Sequence, residues 1–210
     1  MSLVGKKFPD IAVDAITKRG ENLKINILEE ATKNQKKVLL FWYPKDFTFV
    51  CPTELHAFQS VLAEFEDRNT SVIGASCDTN EVHFAWLNTP KNMGGIQGVT
   101  YPLLADTHRQ LANILGIVDQ DFEYDDEGNE LFTGSNVTYR ATYLIDEEGK
   151  IFHESVNDMP LGRNVAEFLR LIDAYTHVQK YGEVCPANWQ EGKDAMKADR
   201  NSTSEYLSSH

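Results

Sequence analysis

Apolar and polar positions along this chain switch repeatedly between two periods, and the switches outline an α/β protein. Residues 37–43, KVLLFWY, are a nearly unbroken apolar run, the pattern of a strand covered on both faces. From residue 52 the period lengthens: Leu55, Phe58, Leu62 and Phe65 recur at helical spacing and predict a helix over 52–68. A strand over 71–76, a helix over 80–88, a short strand over 101–104 and a helix over 107–115 follow. Two strands, 138–145 and 150–156, are then joined by an Asp-Glu-Glu-Gly turn, and a helix spans 163–181. An extended N-terminal segment with a turn at 18–21 precedes them all. This alternation predicts a central mixed sheet with helices on both faces and an antiparallel last hairpin.

The junction between the first strand and its helix carries the candidate chemistry. Cys51 stands where the helix begins, with Pro52 suited to the first helical position and Glu54 in the first turn. A thiol there faces the positive end of a helix dipole and backbone N–H groups without partners, which favours the nucleophilic thiolate. Buried cysteines are more often inert core residues; the strand–loop–Cys–helix context tips the reading towards a reactive thiol.

Composition narrows the partners. The 210 residues carry a net charge of −12, 41% hydrophobic and 25% charged residues. The acidity argues against nucleic acid and anionic membrane surfaces, which attract basic patches. The N-terminus lacks the apolar segment of a signal peptide and no run approaches membrane-spanning length, so the expected location is cytoplasmic. Three cysteines without a C-x-x-C pair fit neither a secreted disulfide framework nor a zinc site, and the six histidines show no metal spacing. No cofactor or metal is expected.

Pro44, Thr48 and Cys51 fit the Pro-x-x-x-Thr-x-x-Cys signature of peroxiredoxins, and Val50-Cys51-Pro52-Thr53-Glu54 continues as in the typical 2-Cys branch. Gly182-Glu183-Val184-Cys185-Pro186-Ala187-Asn188-Trp189 resembles that branch's resolving-cysteine segment. Arg140 in YRATYLID, residues 76–78 with His83, Ala85 and Trp86, and PLLAD at 102–106 resemble further family blocks. The resemblance covers about residues 4–192. The two cysteine motifs together are specific, and the pattern is similar to peroxidatic subunits of alkyl hydroperoxide reductases and to thioredoxin peroxidases.

The resemblance implies a thioredoxin-like fold with an N-terminal extension and a C-terminal tail: a peroxidase domain over 1–160, and a final helix with the resolving-cysteine tail over 161–210 in the same structural unit. It implies a thiol-dependent peroxidase that reduces hydrogen peroxide and organic hydroperoxides. Cys51 would become a sulfenic acid, and Cys185 of a partner subunit would resolve it to a disulfide. Thr48, three residues before Cys51, reads equally from spacing as a turn residue or as a hydroxyl facing the pocket; the resemblance favours the second. Pro44 would shape the pocket, or simply end the strand.

A dipole contributes only about 1 kcal/mol, and Glu54 opposes the thiolate, so a cation should stand near it. Spacing does not choose among the arginines. The resemblance selects Arg140 beside Cys51, and Arg163 either as a partner of Glu54 or as a surface residue at a helix start. The implied partners are a peroxide, a reductant protein (thioredoxin or a flavoprotein reductase) and a second copy of the chain, the dimer assembling to a decamer.

Other features read more plainly. Cys77 ends a buried strand and is expected to be a core thiol; His83 and Trp86 are expected to pack or cap. The acidic stretch 119–139 is longer than the family pattern, and its Gly128-Asn129 and Gly134-Ser135 pairs suggest an inserted surface hairpin. Gly94-Gly95-Ile96-Gln97 starts like a family motif and departs from its ending, and the tail 201–210 is polar and short of apolar anchors. Two rival functions remain: a general thiol–disulfide oxidoreductase, disfavoured by the missing C-x-x-C, and a non-enzymatic holdase, which would not need Cys51.

Overall fold

The computed structural model describes residues 2–209; Met1 of the N-terminal reading and His210 of the tail reading lie outside the described residues. The chain divides into two compact units, Met1–Arg163 and Asn164–His210.

The first unit runs β1 (Ala12–Ile16), β2 (Asn22–Asn26), α1 (Ile27–Asn34), β3 (Lys37–Trp42), α2 (Cys51–Ser60), α3 (Leu62–Asp67), β4 (Thr70–Ser76) and α4 (Asn80–Asn88). It continues with β5 (Leu103–Ala105), α5 (Gln110–Leu115), β6 (Phe122–Tyr124), β7 (Glu130–Phe132), β8 (Arg140–Ile145) and β9 (Ile151–Asn157). Seven strands form one mixed sheet in the order β2-β1-β5-β4-β3-β8-β9. The central β3, β4 and β5 run parallel, while β8 against β3 and β9 against β8 are antiparallel.

β3 is buried at all six positions, as an apolar run in the centre of a covered sheet should be. Its alternation divides the core in two. Val38, Leu40 and Trp42 share a cluster with Ile27 and Ala31 of α1 and with Leu111, Ala112 and Leu115 of α5. On the opposite face Phe41 stacks on Phe58 of α2 with ring centroids 4.1 Å apart, and Tyr43 meets Trp86 of α4 at 5.9 Å. Helices therefore cover both faces, and the strand delivers the chain into residue 51 at the edge of the α2 side.

Several elements differ from expectation. The helix predicted over 52–68 is two helices, interrupted at Val61, which leaves the helical region at φ −119°. The one-residue break keeps Phe58 and Phe65 on the same buried side, so the apolar spacing conceals it. The helix predicted from residue 107 starts at Gln110, because the Asp106 carboxylate accepts from the Gln110 and Ala112 amides at 3.0 and 2.8 Å while Arg109 adopts φ 53°. α1 was not anticipated, although Asn26 caps it by accepting from the Leu28 and Glu29 amides and Glu29 pairs with Lys33 at 2.8 Å. The stretch 119–139 forms the β6–β7 hairpin. The Asp125 carboxylate closes its turn, accepting from the Glu127 and Asn129 amides, with Gly128 at φ 83° where a side chain would be strained.

In the second unit α6 (Val165–Tyr181) is capped by Asn164, whose side chain accepts from the Ala166 amide, and ends at Gly182 with φ 67°. Its start therefore lies past Arg163, where the pattern had placed it. The tail, polar and short of apolar anchors, ends in α7 (Arg200–Ser209), none of whose residues is buried. No helix of the described residues is long and apolar enough to cross a membrane.

Candidate active site

Cys51 is the first residue of α2 and fully buried. Past Cys51 itself, the next first-turn positions do not supply the unpartnered amides expected beside it. Pro52 has no N–H, and the Thr53 and Glu54 amides both donate to the Val50 carbonyl, at 3.0 and 3.3 Å. What faces the sulfur is a cation: Arg140 Nη1 stands 3.4 Å from Cys51 Sγ.

That guanidinium is held from β8 by a buried network. Arg140 Nη1 also donates to Glu54 Oε2 at 2.6 Å, and its Nε donates to the Met159 carbonyl at 2.6 Å. Glu54, only 3% exposed, also accepts from Arg163, at Oε1 from the backbone N–H (3.0 Å) and Nε (2.9 Å) and at Oε2 from Nη2 (2.9 Å). A buried carboxylate with four donors is satisfied, and the Arg163 contact is a bidentate fork.

Arg163 is thus no surface residue at a helix start. Its Nη1 donates to the carbonyls of Trp42 and Ala141 and to Thr142 Oγ1, and its guanidinium lies over Phe41 at 5.1 Å. Burial pulls its pKa below the ordinary arginine value, against the push of Glu54; a guanidinium still keeps its proton. Two guanidinium charges and one carboxylate leave one net positive charge beside the Cys51 sulfur.

Pro44 is buried at the end of β3, and Thr48 is half-buried on the loop 44–50. The Thr48 hydroxyl donates to the Lys45 carbonyl at 2.8 Å, a turn-type bond that leaves its oxygen free to accept. The same loop contains a feature the sequence pattern did not signal: buried Asp46, 2.7 Å from the buried His83 ring on α4. Cys77 is half-buried against the core, and burial pushes its thiol up to about 12, which keeps it protonated at neutral pH. Cys77→Ala should therefore leave peroxide consumption within about twofold of the parent, measured as the rate of peroxide loss.

The second unit carries the other candidate thiol. Cys185 is half-buried after α6 and donates weakly to the Ala174 carbonyl at 3.6 Å. Its segment is closed by backbone hydrogen bonds between Val184 and Met196 and anchored by Trp189, which is 3% exposed and whose ring lies 5.0 Å from that of His177. The Trp189 carbonyl accepts from Arg170 Nη1 and its indole N–H donates to the Lys193 carbonyl. Burial raises the Cys185 thiol, against the pull of Arg170. All three cysteines are free thiols.

Comparison with known proteins identifies the family. The AhpC/TSA family profile matches residues 4–154, and that of the C-terminal domain of 1-Cys peroxiredoxin matches residues 174–209. Peroxiredoxin-1 of Gekko japonicus is 42% identical over 207 residues, covering 99% of this chain and 96% of that protein. Alkyl hydroperoxide reductase C of Helicobacter pylori strain 26695 is 40% identical over 207 residues, covering 98% and 96%. The crystal structure of reduced Plasmodium vivax 2-Cys peroxiredoxin superposes with a TM-score of 0.88 at 38% identity, covering 99% of this chain and 100% of that one. The chain belongs to the AhpC/TSA family of thiol-dependent peroxidases, the peroxiredoxins.

Proposed function

We propose that this chain reduces hydrogen peroxide and organic hydroperoxides through Cys51, with Cys185 of a partner subunit as the resolving thiol. The observation that carries the reading is the Arg140 guanidinium 3.4 Å from the Cys51 sulfur, clamped by Glu54. The Cys51 thiolate attacks one peroxide oxygen; the O–O bond breaks, its electron pair leaves with the other oxygen as alkoxide or hydroxide, and that oxygen takes a proton from water. Cys51 becomes sulfenic acid. Arg140 donates to charge developing on the peroxide, the Thr48 oxygen accepts from the peroxide O–H, and Pro44 limits water in the pocket. Glu54 and Arg163 position Arg140. Cys185 then attacks the sulfenic sulfur as thiolate, expelling hydroxide and forming a disulfide.

The disulfide requires an external dithiol, thioredoxin or a flavoprotein disulfide reductase. Exchange between subunits requires at least a two-fold dimer, which we propose assembles further to a decamer. Segments 1–160 and 161–210 act together in this scheme, without cofactor, in the cytoplasm, and neither nucleic acid nor a membrane is a partner.

A second reading is favoured by the 174–209 match to the C-terminal domain of 1-Cys peroxiredoxin: an enzyme resolved by an external thiol alone. Cys185→Ser separates the two. The two-cysteine scheme predicts one equivalent of peroxide consumed per subunit, then arrest, with loss of the reductant-sensitive dimer on a non-reducing gel. Sustained turnover with a thioredoxin-type donor would favour the one-cysteine scheme. The raised Cys185 thiol adds a pH signature. Below its pKa the thiolate fraction grows about tenfold per pH unit, so disulfide formation after a single peroxide pulse should accelerate from neutral into alkaline pH. A flat profile in rapid-quench experiments would contradict the assignment.

A further inference from the structure

The loop that leads from β3 to Cys51 is held by a buried polar cluster with no part in the chemistry above. Asp46 is 3% exposed and His83 fully buried. His83 Nδ1 lies 2.7 Å from Asp46 Oδ2, and His83 Nε2 lies 3.1 Å from the Leu104 carbonyl oxygen. Asp46 Oδ1 accepts from the Tyr43 hydroxyl at 2.9 Å. Burial keeps that phenol protonated, raising it well above the ordinary tyrosine value. A carbonyl can only accept, so His83 Nε2 must bear a hydrogen. The 2.7 Å contact between Nδ1 and a carboxyl oxygen then needs a second proton, carried by one atom or the other, because two bare acceptors would repel. The pair is therefore either imidazolium with carboxylate or neutral imidazole with carboxylic acid, and burial raises the Asp46 carboxyl in the direction of the second form.

The backbone is pinned at the same residue. The Asp46 amide donates to Asp78 Oδ2 at 2.9 Å, and that oxygen also accepts from Ser76 Oγ at 2.8 Å, at the end of β4. The next residue, Phe47, sits at φ 54°, a left-handed conformation that a bulky side chain holds only where its surroundings impose it. The preceding carbonyl, Lys45, is the one that orients the Thr48 hydroxyl.

We infer that the Asp46–His83 pair, sharing one proton, is the positioning device that fixes the 45–48 backbone and thereby aims the Thr48 oxygen into the peroxide pocket. The inference rests on the reading of Thr48 as an acceptor for the peroxide, and its test separates the two. Asp46 and His83 do not touch the sulfur or its guanidinium, so their loss should slow the peroxide reaction and spare the intrinsic reactivity of Cys51.

The experiment compares two second-order rate constants of Cys51 in the reduced full chain: oxidation by hydrogen peroxide, by stopped flow, and alkylation by iodoacetamide. Asp46→Ala should lower the first roughly 10- to 100-fold, the scale of a misplacement near 1 Å, without lowering the second. Asp46→Asn should retain most of the peroxide rate, since its amide can donate to His83 Nδ1 and its oxygen can accept from Tyr43. Thr48→Val should show the same selective loss, and adding Asp46→Ala to it should slow the reaction no further. Unchanged peroxide rates in Asp46→Ala, parallel loss of both reactions, or full additivity with Thr48→Val would each overturn the inference. A Thr48→Val enzyme as fast as wild type would instead overturn the reading of Thr48. If Asp46→Ala does not fold, His83→Gln carries the same comparison. In the wild-type protein, nitrogen-15 NMR should find His83 Nε2 protonated; a neutral ring protonated at Nδ1 alone would overturn the assignment.

Discussion

Cys51→Ser is expected to abolish peroxide turnover, by roughly 10³-fold or more, while leaving the fold intact. A serine occupies less space than the cysteine it replaces and can keep a hydrogen bond from Arg140, so the buried network around Glu54 has no reason to rearrange. The hydroxyl is far too basic to supply the nucleophile at neutral pH. The check is peroxide loss under steady reductant, with thermal unfolding as the control for folding. A variant that unfolds near the wild-type temperature and still turns over would contradict the assignment of Cys51, and would revive a role for the protein that needs no thiol chemistry there.

Arg140→Gln carries the second large effect. The substitution removes the cation 3.4 Å from the sulfur and the donor nearest any charge that develops on the peroxide. Removing one preorganised donor of this kind costs on the order of 10²–10³ in rate. Glu54 keeps three of its four donors, all from Arg163, so the core is spared an unpaired carboxylate. Stopped-flow oxidation of Cys51 should therefore slow by about that factor while the unfolding temperature falls only modestly. Arg140→Lys should recover little, because a lysine cannot reach sulfur, Glu54 and the Met159 carbonyl with one planar fork. A rate within about threefold of wild type in Arg140→Gln would remove the guanidinium from the mechanism.

The parts of this molecule legible in its sequence are those written in local periodicity. The buried run of β3, the helical spacing after Cys51 and the glycine-bearing hairpins each declare themselves within a dozen residues. What stayed hidden depends on distance or on single bonds. The break at Val61 preserves the apolar spacing, so periodicity passes over it. α1 hides in a polar stretch whose signals, the Asn26 cap and the Glu29–Lys33 pair, are individually small. The Glu54 network joins residues 86 and 109 positions apart, and no local pattern nominates Arg140 or Arg163; only likeness to a family did. Asp46 and His83 lie on a loop and a helix that read as ordinary packing, and their pairing emerges only when both are buried together. The C-terminal helix α7 follows from no apolar stripe, which is why the tail read as plain polar chain.

The account turns on which sulfur meets the peroxide, and one measurement addresses it directly. Reduced Cys185→Ser protein is given one equivalent of hydrogen peroxide in the presence of dimedone, which traps sulfenic acid, and the digested chain is examined by mass spectrometry. The account predicts close to one adduct per subunit, on the peptide containing Cys51, with Cys77 unlabelled. Label on Cys77, or peroxide consumed without label on Cys51, would contradict it.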